Sequence, residues 1–353
     1  MNCLNRHFVI ELASPADAEE ILKIYESGDF KGNISVLYTR RPDPVKSLMQ
    51  EGDKVVIPII KEQENGKICG MGCCVIRKAY LNGEIKNIGY LTGLKILPEY
   101  RKKRIPIADV YAFLYEQTKN DVDIYYTTIL KENTLAQKML EKKRKNMPEY
   151  KYKGDYTVFC FRTGQKVFEN NNYILQRGHR EGLLQFFKEQ EKQYQFSPLI
   201  TSMYENYNKD IFTLSDPKGN ILAVCLVWDQ QAAKQYIITE YKGIYKILQR
   251  MPTKLFGYPP LPQKNISANY ACISMLYIKD NNLKLAKYFI KKIAKCSKKY
   301  EFLMLGLFDA HPLKPIFNHM KHLKYQSRLY IVSWNDERHV LDNRPINLEV
   351  SLL

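Results

Sequence analysis

Gly93-Leu94-Lys95-Ile96-Leu97-Pro98-Glu99-Tyr100-Arg101-Lys102-Lys103-Arg104-Ile105-Pro106-Ile107-Ala108 joins two kinds of local order. Upstream, residues 54–62, 67–80 and 84–97 are strand-like runs that meet at Asn65-Gly66 and Asn82-Gly83. Those dipeptides supply the positive φ that tight hairpin turns require, so the three runs predict an antiparallel meander. Downstream, Ile107, Val110, Tyr111 and Leu114 recur at i, i+3, i+4 and i+7, the apolar stripe of a helix. The basic turn 101–104 therefore lies between the end of a strand and the start of a helix. Unpaired N–H groups and the positive dipole end make a helix start a natural anion site. Basic side chains strengthen it.

Working outward, residues 7–13 read as a strand. Ser14-Pro15-Ala16-Asp17 supplies an N-cap, a first-turn proline and an acid for a helix to about Ser27. Asp43-Pro44 opens a short helix through Gln50. Beyond the basic turn come a strand at 123–130, a helix at 133–143 and a strand at 150–162. The second half restarts the order with a strand at 173–176, a helix at 181–194 and strands at 210–215 and 221–229. A strand at 268–278, a helix at 282–298, a strand at 301–308, a helix at 312–320 and a strand at 327–334 follow. The repeated order indicates an internal duplication. A chain of 353 residues suits two domains of ordinary size. The expected division is a lobe at 1–165, a polar linker, a second lobe at 172–340 and a tail at 341–353.

The bulk numbers exclude several classes. An apolar fraction of 45% supports real cores and rules out a disordered chain. No stretch approaches the roughly 20 apolar residues of a membrane-spanning helix, and the N-terminus has no signal-peptide character, so a cytoplasmic protein with no membrane partner is expected. The eight cysteines form no CxxC pair and read as reduced, mostly buried small hydrophobes. The net charge of +17 is spread, with 27 basic against 21 acidic residues in 1–165 and 27 against 16 in 166–353. Its dispersal favours a compositional origin over a nucleic-acid partner. His319 and His322 are three apart, with Asp309 and His311 nearby. They read as surface residues, and no metal is expected.

The 93–108 segment resembles the acyl-CoA-binding motif of the GNAT acetyltransferase superfamily, where a strand ends in V-x-P-x-(Y/F)-R and an R/Q-x-x-G-x-G/A turn opens a helix. The resemblance implies an α/β (α+β) fold of two tandem GNAT-like lobes, each a mostly antiparallel mixed sheet flanked by helices. It also implies a site for acetyl-CoA or another acyl-CoA in the first lobe. The implied donor-binding residues are Leu94, Ile96, Leu97, Arg101, Lys102, Lys103, Arg104, Ile105 and Ile107, with Asn133 at an N-x-x-A helix start. Arg104 and Pro106 replace the family's glycines, and Pro106 has no N–H to donate. Leu140 stands where many members carry a proton-donating tyrosine. The strand 89–93 lacks the usual basic carboxylate, which leaves Tyr90 and Thr92 as polar candidates for catalysis.

The corresponding turn of the second half, Lys279-Asp280-Asn281-Asn282, is not basic, so one site per chain is expected. That half carries Trp228-Asp229-Gln230-Gln231-Ala232-Ala233-Lys234-Gln235 and Tyr258-Pro259-Pro260-Leu261-Pro262. These resemble the W-D-Q-x-x-x-K-Q and P-x-L-P segments of a bacterial family of tandem GNAT-like proteins. Asp229, Gln230, Lys234 and Gln235 are candidates either for binding an amine acceptor, small molecule or peptide, or for a network that holds the lobes together. The leading reading is an N-acyltransferase. Two others stand beside it: a catalytically lapsed CoA-binding or regulatory module, and a tRNA-dependent aminoacyltransferase.

Overall fold

The computed structural model describes residues 7–103, 105–202, 204–334 and 340–353. The first half contains β1 (Phe8–Leu12), α1 (Ala18–Glu26), β2 (Ile34–Thr39), α2 (Pro44–Met49), β3 (Lys54–Val56) and β4 (Pro58–Glu62). It continues with β5 (Ile68–Leu81), β6 (Glu84–Ile96), α3 (Ile107–Thr118), β7 (Ile124–Leu130), α4 (Thr134–Leu140) and β8 (Glu149–Arg162). The second half contains β9 (Ile174–Arg177), α5 (Leu183–Glu191), β10 (Ser197–Pro198), α6 (Tyr204–Tyr207), β11 (Ile211–Ser215) and β12 (Ile221–Trp228). It ends with β13 (Gln235–Tyr241), α7 (Tyr245–Leu248), β14 (Tyr270–Ile278), α8 (Leu283–Cys296), β15 (Phe302–Phe308) and β16 (Leu323–Ser333).

The fold class is as the sequence implies: two lobes of mixed, mostly antiparallel sheet flanked by helices. The lobes are fused into one 14-stranded sheet whose central order is β6-β7-β16-β8-β15-β14. Each half's last strand has crossed to the other half. β8 pairs antiparallel with β15 from Tyr156↔Phe308 to Arg162↔Phe302, and β16 pairs with β7 from Leu130↔Ser327 to Tyr125↔Val332. The exchanged strands also pair with each other. This removes two exposed edges that separate lobes would otherwise leave open.

Local chemistry explains most elements. Asn82 (φ 52°) and Gly83 (φ 80°) both adopt the left-handed region in the β5–β6 turn, as a type I′ turn demands. Asp43 accepts from Lys46 N to cap α2, and α8 buries Leu285, Ala286, Phe289, Ile290 and Ile293 along one face. Two expected elements differ, the run at 54–62 being two strands, β3 and β4, rather than one. The predicted helix at 312–320 is a 3-10 turn, Lys314–His319, because Pro315 removes a backbone donor early in the run. His311, expected on the surface, is buried and stacked on Tyr194. Burial pushes its imidazole down to about 4.

Two strands that the sequence reading passed over, β2 and β13, form a separate two-stranded sheet that ties the lobes together outside the main one. The largest apolar cluster likewise spans both halves, joining Tyr90 and Tyr126 to Tyr156, Tyr270, Phe302, Leu348 and Val350. The segment 345–353, expected as a tail, runs into the interior, with Asn347, Leu348, Glu349, Val350, Ser351 and Leu352 all buried.

Candidate active site

β6 and β7 run parallel, but their pairing covers only Ile88↔Ile124, Gly89↔Tyr125 and Tyr90↔Tyr126. Beyond Tyr90 the strands part. The cause lies on the other side of β6, where the β5 register shifts between Met71↔Lys95 and Cys73↔Thr92. That is a bulge with one extra residue on β6. Gly93 sits in it at φ 66°, and a bulge of this kind bends its strand away from its neighbour. An added Cβ at Gly93 would lie 3.3 Å from the Tyr25 hydroxyl. Gly93→Val is therefore expected to lower stability by about 1–2 kcal/mol through backbone strain, or more with the steric term. Denaturant titration would measure this. An unchanged midpoint would show that the bulge is not fixed at Gly93.

The wedge between the parting strands opens toward α3. Pro106 is the N-cap of α3 and makes no side-chain cap bond, while the Ile107 and Asp109 N–H groups donate to Ile105 O and Pro106 O. In the turn leading to it, the Arg101 Nε donates to Ile96 O (3.3 Å), and Lys102 is exposed. Lys103 is committed elsewhere: its amine lies 2.7 Å from Glu62 Oε1 and 4.3 Å from the Tyr100 ring centre, and Tyr100 itself donates to Glu62. Arg104 lies outside the described residues. Leu94, Ile96, Ile105 and Ile107 line this region half-buried. Leu97 is buried with its N–H given to Cys69 O and its carbonyl to Tyr100 N, so its backbone polar groups are already used. Asn133 caps α4 through Ala136 N (3.2 Å).

Tyr90 is buried in the wedge wall. It stacks on Tyr126 with ring centres 5.0 Å apart, and its hydroxyl lies 3.1 Å from Thr128 Oγ1. Burial raises its pKa, so at neutral pH it keeps its proton and can donate it but cannot act as a base. Thr92 follows on the same strand, half-buried at the start of the divergence.

The second lobe repeats the backbone design. β14 and β15 pair in parallel only from Tyr270↔Phe302 to Cys272↔Met304. The β12 register shifts by the same one-residue bulge, here with Met275 at φ 52°. This wedge is filled by the chain itself. Glu349 accepts from Met275 N (2.9 Å), the Ser274 and Ser351 hydroxyls lie 2.7 Å apart, and the Val350–Leu352 turn packs on β14 and β15. Its helix is also capped, because Asn282 accepts from both Lys284 N and Leu285 N.

Between the lobes, Glu51 Oε1 accepts from Arg40 Nη1 and Lys234 Nζ, each at 2.7 Å, and all three side chains are buried. Lys234 also reaches Ser351 O (2.8 Å), and Gln230 donates to the same carbonyl (2.9 Å). Gln235 accepts from Arg41 N and donates to Gln231 O. Asp229 is exposed and receives the Tyr300 hydroxyl. The polar atoms of Gln230, Lys234 and Gln235 are thus used within the protein, joining β13, the first lobe and the 345–353 segment.

The sequence reading missed Lys95 and Arg77. Lys95, on the wedge strand, donates to Tyr25 O and Gly28 O, and burial, aided by nearby Arg101, lowers its amine to about 8. Arg77 is buried, donates to Leu352 O (2.9 Å) and lies 5.8 Å from the Tyr90 ring centre. Among the described residues, its Nε and Nη1 have no hydrogen-bond partner. A charged residue inside an apolar strand was the one available signal for either. Among the described residues, no cluster of His, Cys, Asp or Glu could hold a metal.

The chain superposes on the glucosamine N-acetyltransferase region of a fungal multi-domain β-N-acetylglucosaminidase with TM-score 0.64, 12% identity and 94% of this chain covered. It spans 39% of that longer chain. Saccharomyces cerevisiae N-myristoyltransferase with bound myristoyl-CoA gives TM-score 0.61 at 8% identity, covering 98% of this chain and 90% of that one. A GCN5-related N-acetyltransferase from Sphaerobacter thermophilus gives 0.57 at 11% identity, covering 93% and 96%. By sequence, no protein-family profile and no curated protein matches. The chain therefore has the acyltransferase fold of the GCN5-related N-acetyltransferases, in a two-lobed arrangement that N-myristoyltransferase shares.

Proposed function

We propose that the chain is an acyl-CoA-dependent N-acyltransferase that binds one donor per chain, in the β6/β7 wedge. The observation that carries this is the unequal pair of wedges. In the first, residues beyond Tyr90 have no strand partner on the β7 side, and the helix that follows starts at Pro106, which has no side chain to cap it, beside Arg101 and Lys102. The second is filled by residues 349–352 and ends at an asparagine-capped helix. The donor's pyrophosphate fits the α3 N-terminus, where the dipole favours an anion. Its thioester arm lies along the unpaired edge of residues 92–96, where backbone N–H groups can stabilise a developing oxyanion. An amine acceptor attacks the thioester carbonyl, the C–S bond breaks, solvent water takes the amine's proton and the CoA thiolate gains one. Tyr90, which keeps its proton, is our candidate to supply the latter. The solved neighbours support acyl transfer as the fold's chemistry. They leave the acyl group and the acceptor open.

Calorimetric titration with CoA is the test. Saturation is expected near one equivalent. Arg101→Glu with Lys102→Glu is expected to weaken binding at least tenfold, since charge-assisted hydrogen bonds contribute roughly 1.5–3 kcal/mol each. Lys103 is avoided because its loss would also remove its ion pair with Glu62. Two equivalents, or unchanged affinity in the double variant, would refute this placement. Binding with no release of free thiol across a panel of amines would instead favour the lapsed, CoA-binding reading.

A further inference from the structure

The strongest unassigned feature lies far from the wedge in sequence, at residues 242–258 between β13 and β14. This segment carries Lys242, Lys246, Arg250 and Lys254 and no acidic residue. It also exposes large apolar side chains. Ile244 and Ile247 are each 65% accessible, Leu255 is 81% and Phe256 is 60%, with Met251 beside them. The exposure does not come from a loose loop. Thr253 donates to Pro259 O (2.8 Å), Tyr241 to Pro262 O (2.7 Å), and Arg162 donates to the Lys254 carbonyl. Several exposed apolar groups on one pinned surface segment mark a contact site. Lys254 also forms one wall of an open notch with Arg162, Lys298 and Lys299, where Glu301 is the only acid among the lining residues.

We propose that this face docks on an anionic phospholipid membrane, with Ile244, Ile247, Leu255 and Phe256 entering the interface and the cationic notch taking lipid phosphate. Interleaved cations and apolar side chains bind such surfaces by burial plus attraction to anionic headgroups. The chemistry argues against other occupants. Of the four exposed side chains only Phe256 has a ring that could stack on a base, and Ile244, Ile247 and Leu255 are aliphatic, which disfavours a nucleic acid. A second copy seated symmetrically would set these cations against their own equivalents. The sequence-based expectation of no membrane partner rested on spanning length, which a surface-lying segment does not need. The proposal is independent of the acyl-transfer reading, and either can fail alone.

Co-sedimentation of the full chain with phosphatidylglycerol vesicles, against phosphatidylcholine vesicles, tests it. Binding is expected to the anionic vesicles and to weaken with salt. Leu255→Asp with Phe256→Asp should lower partitioning about a hundredfold, and Arg250→Glu with Lys254→Glu at least twentyfold. Thermal melting should show that both variants are still folded. No binding to phosphatidylglycerol, equal binding to both lipids, or unchanged binding by the folded variants would overturn the proposal. So would a dimer in sedimentation velocity that the Leu255/Phe256 variant dissolves, which would give the face to a second copy, or an RNA complex lost in the same variant.

Discussion

Glu51→Ala is expected to lower the folding stability by about 3–5 kcal/mol, because it removes the one carboxylate shared by two buried cations. Arg40 and Lys234 both reach Glu51 Oε1 at 2.7 Å, and the three side chains are almost closed to solvent. With the carboxylate gone, two desolvated positive charges remain near each other, which costs far more than losing a surface pair. Lys234→Met should cost less, since the Arg40–Glu51 pair survives. Denaturant midpoints at constant m-value would rank the two. Equal losses would show that the contacts of Lys234 with Ser351 O, not charge, dominate. Burial alone would raise the Glu51 pKa, but Arg40 and then Lys234 outweigh it and hold it at about 2. Because the folded value lies below the unfolded one, this stabilisation is present above about pH 4.5 and is lost as pH falls toward 2.

Raising the pH from 6.5 to 8 is expected to remove about 3 kcal/mol of stability, from two acids buried at the junction of the lobes. Glu191 accepts from Ile200 N, and Glu349 from Met275 N. Burial raises both carboxyls to about 8, and Glu191 adds to the shift on Glu349. A folded pKa above the unfolded value means that the native state holds the extra proton between about 4.5 and 8. Stability therefore falls as pH rises through that window. Below 6.5, His311 works in the opposite sense, since its lowered pKa makes the native state bind less proton between 4 and 6.5, so the slope there is shallower. Glu191→Gln with Glu349→Gln keeps both acceptor oxygens and removes both titrations. Its melting temperature should be nearly flat from pH 6.5 to 8 and above wild type at pH 8. A wild-type-like pH slope in that variant would assign the loss to other groups.

Much of the first wedge was legible in the sequence. Gly93, the strand before it and the basic turn into an apolar-striped helix are local features, set by one residue's φ preference and by periodicity. The absence of a second basic turn was legible too. What could not be read was the fate of each side chain in the turn. Lys103 has the charge to bind phosphate, but Glu62, 41 positions upstream, takes it. Lys234 and Gln230 look the same in sequence whether they face a substrate or Ser351 O, more than 110 positions away.

The sequence by itself determined most of the elements and their order, because Asn82-Gly83, the α8 stripe and the strand runs act through dihedral preference and nearest-neighbour burial. Only the tertiary structure decided that β8 and β16 exchange partners, that β2 and β13 pair across the lobes, and that residues 349–352 close the second wedge. Each of these rests on contacts between residues far apart in the chain. Any strand of suitable length offers the same ladder of N–H and C=O groups, so the choice among partners is made by which side chains pack and which buried charges are neutralised when the whole chain closes.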